Sequence, residues 1–159
     1  MRIWRLQKKR YVSPVFTCQG SLKTHGRWHR RGTQVAYASE HPAVAALEKL
    51  AGLGSREMAR QSNLMLLPID IRPDRHLEVL SEDDLPEDWD AFPHPRSTQE
   101  IGVKWVEEQR SVVLSVPSAS MHASQNFLIN PFHPHFQELE QGEPMAFNWD
   151  TRFLSTEAK

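Results

Sequence analysis

The sequence predicts a single mixed α+β domain, and three observations lead there. A chain of 159 residues fits one domain of ordinary size and is too short for two typical ones. Short apolar runs with strand character outnumber the stretches with helical spacing. No repeat at a solenoid period and no low-complexity tract divides the chain, so residues 1–159 are read as one domain.

In chain order, "RIWRL" alternates as a short strand, with Ile3 and Arg5 on one face and Trp4 and Leu6 on the other, so Arg5 points inward. "TQVAYAS" is a second strand ending at Ser39. "SEHPAVAALEKLAGLG" then reads as a helix: Ser39 or His41 is available as a cap, Pro42 suits the first turn, and Gly52 or Gly54 closes it. Ala43, Val44, Leu47, Leu50 and Ala51 recur at helical spacing and form its packing face. Glu48, one turn beyond Val44, borders that face.

"NLMLLPIDI" and "HLEVLS" are further strands, and Pro68 assigns the first to an edge or a bulge rather than an uninterrupted central ladder. The acidic, proline-containing "SEDDLPEDWDAFPHP" reads as a surface loop. Ser97 and Glu100 form an S-x-x-E capping box that opens a helix over "STQEIGVKWVEEQR", with Ile101, Trp105 and Val106 facing the core. "SVVLSVPS" is a buried strand ended by Pro117, with Ser118 in the turn beyond it. "QNFLINP" and "PMAFNWDTRFL" supply the last two strands.

Nineteen Lys plus Arg balance 20 Asp plus Glu, so no global field recruits nucleic acid or an anionic membrane, and neither is expected as a direct partner. Cys18 is the single cysteine and has no partner for a disulfide or a CxxC site, which suits a reducing cytoplasm. "MRIWRLQKKRYVSP" lacks an apolar signal core and no later run is long enough to span a bilayer. The expectation is a soluble, unexported, cytoplasmic protein.

Candidate chemistry begins at "GRWHRRG". Gly26, at positive φ, would allow a tight turn that aims the Arg27 guanidinium, a planar fork matched to phosphate or pyrophosphate; the ordinary alternative is a surface arginine. Tyr37 ends a strand, where function gathers, or is core with its hydroxyl satisfied. Glu48 beside Ala, Leu and Val either reaches solvent, pairs with a lysine one turn away, or finds a buried partner. The His133-Pro134-His135 run lacks the companions of a zinc site, so no metal is expected. Ser118 lacks a nucleophile elbow, and taken alone it reads as an ordinary turn serine.

Taken in order, "WRL", "GRWHRRGTQVAYAS", "AVAALEKL", "VVLSVPS" and "NFLINPFHP" closely resemble the RES domain family, named for its Arg, Glu and Ser positions. The resemblance runs from Arg5 to the terminal "FNWDTRFL". It implies a compact fold similar to that of ADP-ribosyltransferases and the toxin component of a bacterial type II toxin–antitoxin pair, with NAD as substrate. It also implies a cognate Xre-type helix-turn-helix antitoxin as partner. By the same resemblance Arg27, Glu48 and Ser118 take the eponymous positions, Arg5 and Tyr37 line the cleft, and Asn126 braces the serine loop. His29 departs from the family's usual Asn after "GRW". Cleavage of the nicotinamide–ribose bond by water or phosphate is the expected reaction. ADP-ribosyl transfer to a host protein and a non-catalytic partner-binding module are the alternatives.

Overall fold

Eight short segments satisfy their backbone groups by pairing into one sheet, as buried N–H and C=O groups must. The computed structural model describes residues 1–12, 18–52 and 63–154, and every structural statement below concerns these. The strands are β1 (Arg2–Lys8), β2 (Ala36–Ser39), β3 (Leu64–Asp70), β4 (Leu77–Val79), β5 (Val113–Pro117), β6 (Gln125–Ile129), β7 (Glu140–Gln141) and β8 (Met145–Phe147). The helices are α1 (Gln19–Lys23), α2 (Pro42–Gly52), α3 (Pro73–His76), α4 (Arg96–Glu108) and α5 (Thr151–Leu154). Strand order is β4-β5-β6-β2-β1-β3-β7, with β8 also on β3. β4 and β5 are parallel and the other pairs antiparallel, which gives the expected mixed α+β architecture.

Register decides what shares a face. Trp4 pairs with Ser39, Ser39 with Asn126, and Asn126 with Val116, so these four side chains project from one side of the sheet. On that side α4 buries Trp105 against Trp28, Val35, Trp89, Leu114, Val116 and Leu128, and α2 packs Ala45 on Leu6, Leu64 and Leu66. The opposite side buries Ile3, Ala36, Ala38, Ile69, Val113, Phe127 and Ile129 beneath Cys18 and Phe136. No helix among the described residues is long and apolar enough to cross a membrane.

Several expectations are corrected. Pro68 does not mark an edge: β3 pairs along its whole length with β1, from Arg2↔Asp70 to Lys8↔Leu64. Its other ladder is interrupted, with β8 reaching Leu66 and β7 starting at Ile69, so the missing N–H falls in the gap. The Ser97–Glu100 capping box does not form. α4 begins at Arg96 after Pro95, and Glu100 instead pairs with Arg30 and Arg96. The last expected strand is strand only at Met145–Phe147 and turns helical at Thr151. The acidic stretch holds a 3₁₀ turn at Glu82–Asp84, and its Trp89 is buried. His41 rather than Ser39 caps α2, its Nδ1 accepting from the Ala43 N–H at 3.2 Å. Gly52 is the last described residue of that helix, and Gly54 lies outside the described residues.

One contact ties α4 to the segment before β2. A Cβ built on Gly102 would sit 1.9 Å from the Trp28 carbonyl oxygen, so the helix touches bare backbone there. Gly102→Ala is therefore expected to destabilise by about 1–3 kcal/mol or more through overpacking, despite alanine's higher helix propensity. A denaturant midpoint equal to that of the unaltered protein would remove this contact from the account.

Candidate active site

A carboxylate on the flank of an apolar helix must reach water or collect donors. Glu48 collects three. Ser118 Oγ donates to Oε1 at 2.7 Å, Asn126 Nδ2 to the same oxygen at 2.6 Å, and Ser120 Oγ to Oε2 at 3.1 Å. The donors are themselves held. The Ser39 hydroxyl donates to Asn126 Oδ1 at 2.6 Å, which sets the amide's orientation, and the Met121 N–H donates to Ser118 Oγ at 3.0 Å. The Ser118 N–H closes the turn onto the Ser124 carbonyl at 2.9 Å. Ser118 is thus no ordinary turn serine: it is 1 % exposed and spends its proton on Glu48. Asn126 was expected to brace the serine loop, and it bonds Glu48 directly.

Arg27 arrives on a loop that α4 grips. Gln99 Nε2 donates to the Gly26 carbonyl at 3.0 Å, and Thr98 Oγ1 lies 2.8 Å from the Arg27 carbonyl and 2.9 Å from that of Pro95. Gly26 is not at positive φ, as the sequence reading had it. It is needed for space, because a Cβ there would lie 2.7 Å from His29 Cε1 and 3.0 Å from Tyr37 Oη. Arg27 Nη1 donates to the Trp89 and Ala91 carbonyls at 2.5 and 2.9 Å. Its Nη2 and Nε have no acceptor among the described residues, so half of the fork is available to a ligand. Burial pulls the Arg27 pKa down, while Asp90, Glu48 and Tyr37 oppose the shift. Arg27, Glu48 and Tyr37 therefore share one electrostatic neighbourhood.

Tyr37 Oη sits 2.7 Å from His29 Nδ1. Burial, and then His25 and His94, lower the His29 pKa to about 4, so the ring is neutral at neutral pH. Burial pushes the Tyr37 phenol up, and it stays protonated. The hydroxyl is thus engaged with the Arg27 loop, while the side chain as a whole is half-buried. Arg5 stands apart from the Glu48 network. It shares a face with Ile3, its Nε donates to Gln7 Oε1 at 2.8 Å, and its Nη1 donates to the Tyr37 carbonyl at 3.0 Å where β1 and β2 pair only at Trp4↔Ser39. Its guanidinium fills in for ladder bonds that the two strands do not make.

Sequence reasoning missed Ser39, Thr98, Ser120 and His94. His94 interacts electrostatically with Arg27, His25 and Glu48, and its Nδ1 is buried without a hydrogen-bond partner. It comes from the acidic stretch read as a plain surface loop. His133 and His135 bond locally instead: His133 Nδ1 accepts from the His135 N–H at 3.1 Å, and His135 Nδ1 lies 2.7 Å from Glu138 Oε1.

The sequence model of the RES domain matches residues 2–150. The chain belongs to the RES domain family. It is 31 % identical over 153 residues to a protein of Yersinia enterocolitica named Toxin Res, covering 96 % of this chain and 99 % of that one. It is also 31 % identical over 156 residues to the Prs ADP-ribosylating toxin of a Sphingobium species, covering 95 % of each. Among solved structures, the M. tuberculosis MbcT–MbcA toxin–antitoxin complex contains a chain that matches with a TM-score of 0.70, over 92 % of this chain and 83 % of that one. At 12 % identity, that likeness speaks for the fold.

The buried His29, paired with Tyr37, leads to a pH prediction. Its folded pKa, about 4, lies below the ordinary 6.5, so the unfolded chain takes up the proton first as pH falls. The stability this contributes is present above 6.5 and is lost toward 4. His29→Asn abolishes that titration. Thermal midpoints measured across the window are expected to fall more steeply for the unaltered protein than for the variant, and parallel curves would contradict a buried neutral histidine.

Proposed function

We propose that this protein is the toxin of a bacterial type II toxin–antitoxin pair and that it cleaves the nicotinamide–ribose bond of NAD, with water or phosphate as acceptor. The observation that carries the reading is Glu48, whose carboxylate is braced by Ser118, Asn126 and Ser120 in the same electrostatic neighbourhood as a half-engaged Arg27. Departure of nicotinamide leaves positive charge on the ribose, and a fixed carboxylate stabilises that charge without reorganising at the moment of reaction. A second role for the same group is to orient ribose hydroxyls, as carboxylates do in glycoside hydrolysis.

Arg27 Nη2 and Nε then receive the pyrophosphate, so that binding energy far from the bond orients the reacting sugar. Arg5, already bonded to the Tyr37 carbonyl, contributes positive charge and holds the strand that carries the tyrosine. Tyr37 offers its ring to the nicotinamide ribose region, since its hydroxyl is engaged with His29. Ser118 acts through Glu48, and Asn126 does the same. No metal enters this scheme.

ADP-ribosyl transfer to a protein is the second reading, favoured by the Sphingobium relative named as a Prs ADP-ribosylating toxin. The first half of the reaction is shared, and the acceptor differs. A non-catalytic partner-binding module would leave unexplained why a carboxylate is braced by two largely buried donors. The toxin names of relatives and the MbcT–MbcA complex support an antitoxin partner, here proposed as an Xre-type helix-turn-helix protein, with both acting in the cytoplasm.

Free nicotinamide released from NAD by the purified protein tests the reaction, and label retained on protein singles out the transferase. Glu48→Gln keeps an oxygen for Ser118 and Asn126 and places a donor opposite the Ser120 hydroxyl, so the fold should hold. Loss of the charge is expected to cost on the order of 10²–10³ in turnover. Undiminished release by the folded variant would remove Glu48 from the chemistry. Arg27→Lys should recover only part of what Arg27→Ala loses, because a point charge cannot reproduce the fork; full recovery would refute the bidentate contact.

A further inference from the structure

The two oxygens of Glu48 are unequally engaged. Oε1 accepts from Ser118 at 2.7 Å and from Asn126 at 2.6 Å. Both donors are buried, at 1 % and 9 % exposure, and both are fixed from behind, by the Met121 N–H and the Ser39 hydroxyl. That oxygen is a fixture of the fold. Oε2 accepts from Ser120 alone among the described residues, at a longer 3.1 Å, and Ser120 is exposed on the turn between β5 and β6. A hydroxyl on an exposed turn is easily exchanged for another, whereas a buried amide locked at both ends is not.

We propose that Oε2 is the oxygen Glu48 presents to substrate, and that the Ser120 hydroxyl is a placeholder displaced by the 2′-hydroxyl of the ribose beside the scissile bond. The two groups are chemically alike: each is an aliphatic O–H donating to the same carboxylate oxygen. In the empty protein Ser120 keeps Oε2 from standing unsatisfied and holds the carboxylate plane in place. When the ribose arrives, its hydroxyl takes over the bond and Ser120 swings into solvent. Ser118 and Asn126 keep Oε1 throughout, so the charge reaches the sugar without the side chain rotating. The inference rests on the proposed nicotinamide–ribose site and assigns which atom of Glu48 meets the sugar.

A placeholder competes with the ligand, and that gives the test its sign. Ser120→Ala removes the competitor, so ADP-ribose, which has the same ribose and is not consumed, is expected to bind about two- to tenfold more tightly, the worth of one exchanged hydrogen bond. The analogue lacking the 2′-hydroxyl of that ribose should gain nothing from the same substitution. Calorimetry on the full chain reads both. Weaker binding of ADP-ribose by Ser120→Ala, an equal gain for both ligands, or no binding of ADP-ribose by the unaltered protein overturns the proposal. If ADP-ribose binds but NAD yields no nicotinamide, the cleavage reading fails, and the ranking of the binding constants still decides the role of Ser120.

Discussion

The structure turns on the hydrogen bonds that Glu48 accepts. A charged oxygen next to the apolar face of α2 is tolerated only because β6 brings Asn126 and the turn after β5 brings Ser118 within 2.7 Å of it. Those bonds join α2, β5 and β6, and Ser39 extends the chain of donors to β2. Removing one donor would therefore disturb both the orientation of the carboxylate and the packing of the elements that supply it. This coupling explains why two largely buried polar side chains, Ser118 and Asn126, occur on a sheet face that also carries Leu114, Val116 and Leu128.

A second constraint delivers the arginine. The Arg27 loop is too short to fold on its own, so it borrows rigidity from α4 through Thr98, Gln99 and the bare backbone of Gly102, and from β2 through the Tyr37–His29 pair. Trp89 anchors the acidic stretch in the same core and places two carbonyls on Arg27 Nη1. Half of the guanidinium is thereby fixed and half left over, which is the arrangement the proposed pyrophosphate contact requires.

Local pattern carried much of this. Strand alternation in "RIWRL" and "TQVAYAS" and helical spacing around Val44 put Arg5, Tyr37 and Glu48 on the right elements, because those signals depend on neighbours in sequence. What was illegible depended on pairing across the chain. Nothing near Ser118 announces that Glu48, 70 residues earlier, is its acceptor, and nothing near Gly102 announces the Trp28 carbonyl. Gly26 shows the same limit: its lack of a side chain was legible, but the reason is the approach of His29 and Tyr37 rather than its φ angle. Pro68 was correctly read as incompatible with an unbroken ladder, yet only the positions of β7 and β8 reveal that the break lies on one side of an interior strand. The acidic stretch misled because charge dominates its composition, and its single buried tryptophan and His94 are what reach the site.

The central claim is that Glu48 and Arg27 act on neighbouring parts of one NAD molecule, the carboxylate at the nicotinamide ribose and the fork at the pyrophosphate. A crystal structure of the Glu48→Gln protein with NAD bound tests it most directly. The account predicts ribose hydroxyls within hydrogen-bond distance of the residue-48 side chain and pyrophosphate oxygens on Arg27 Nη2 and Nε. A dinucleotide lying elsewhere, or one whose pyrophosphate leaves Arg27 untouched, would contradict it.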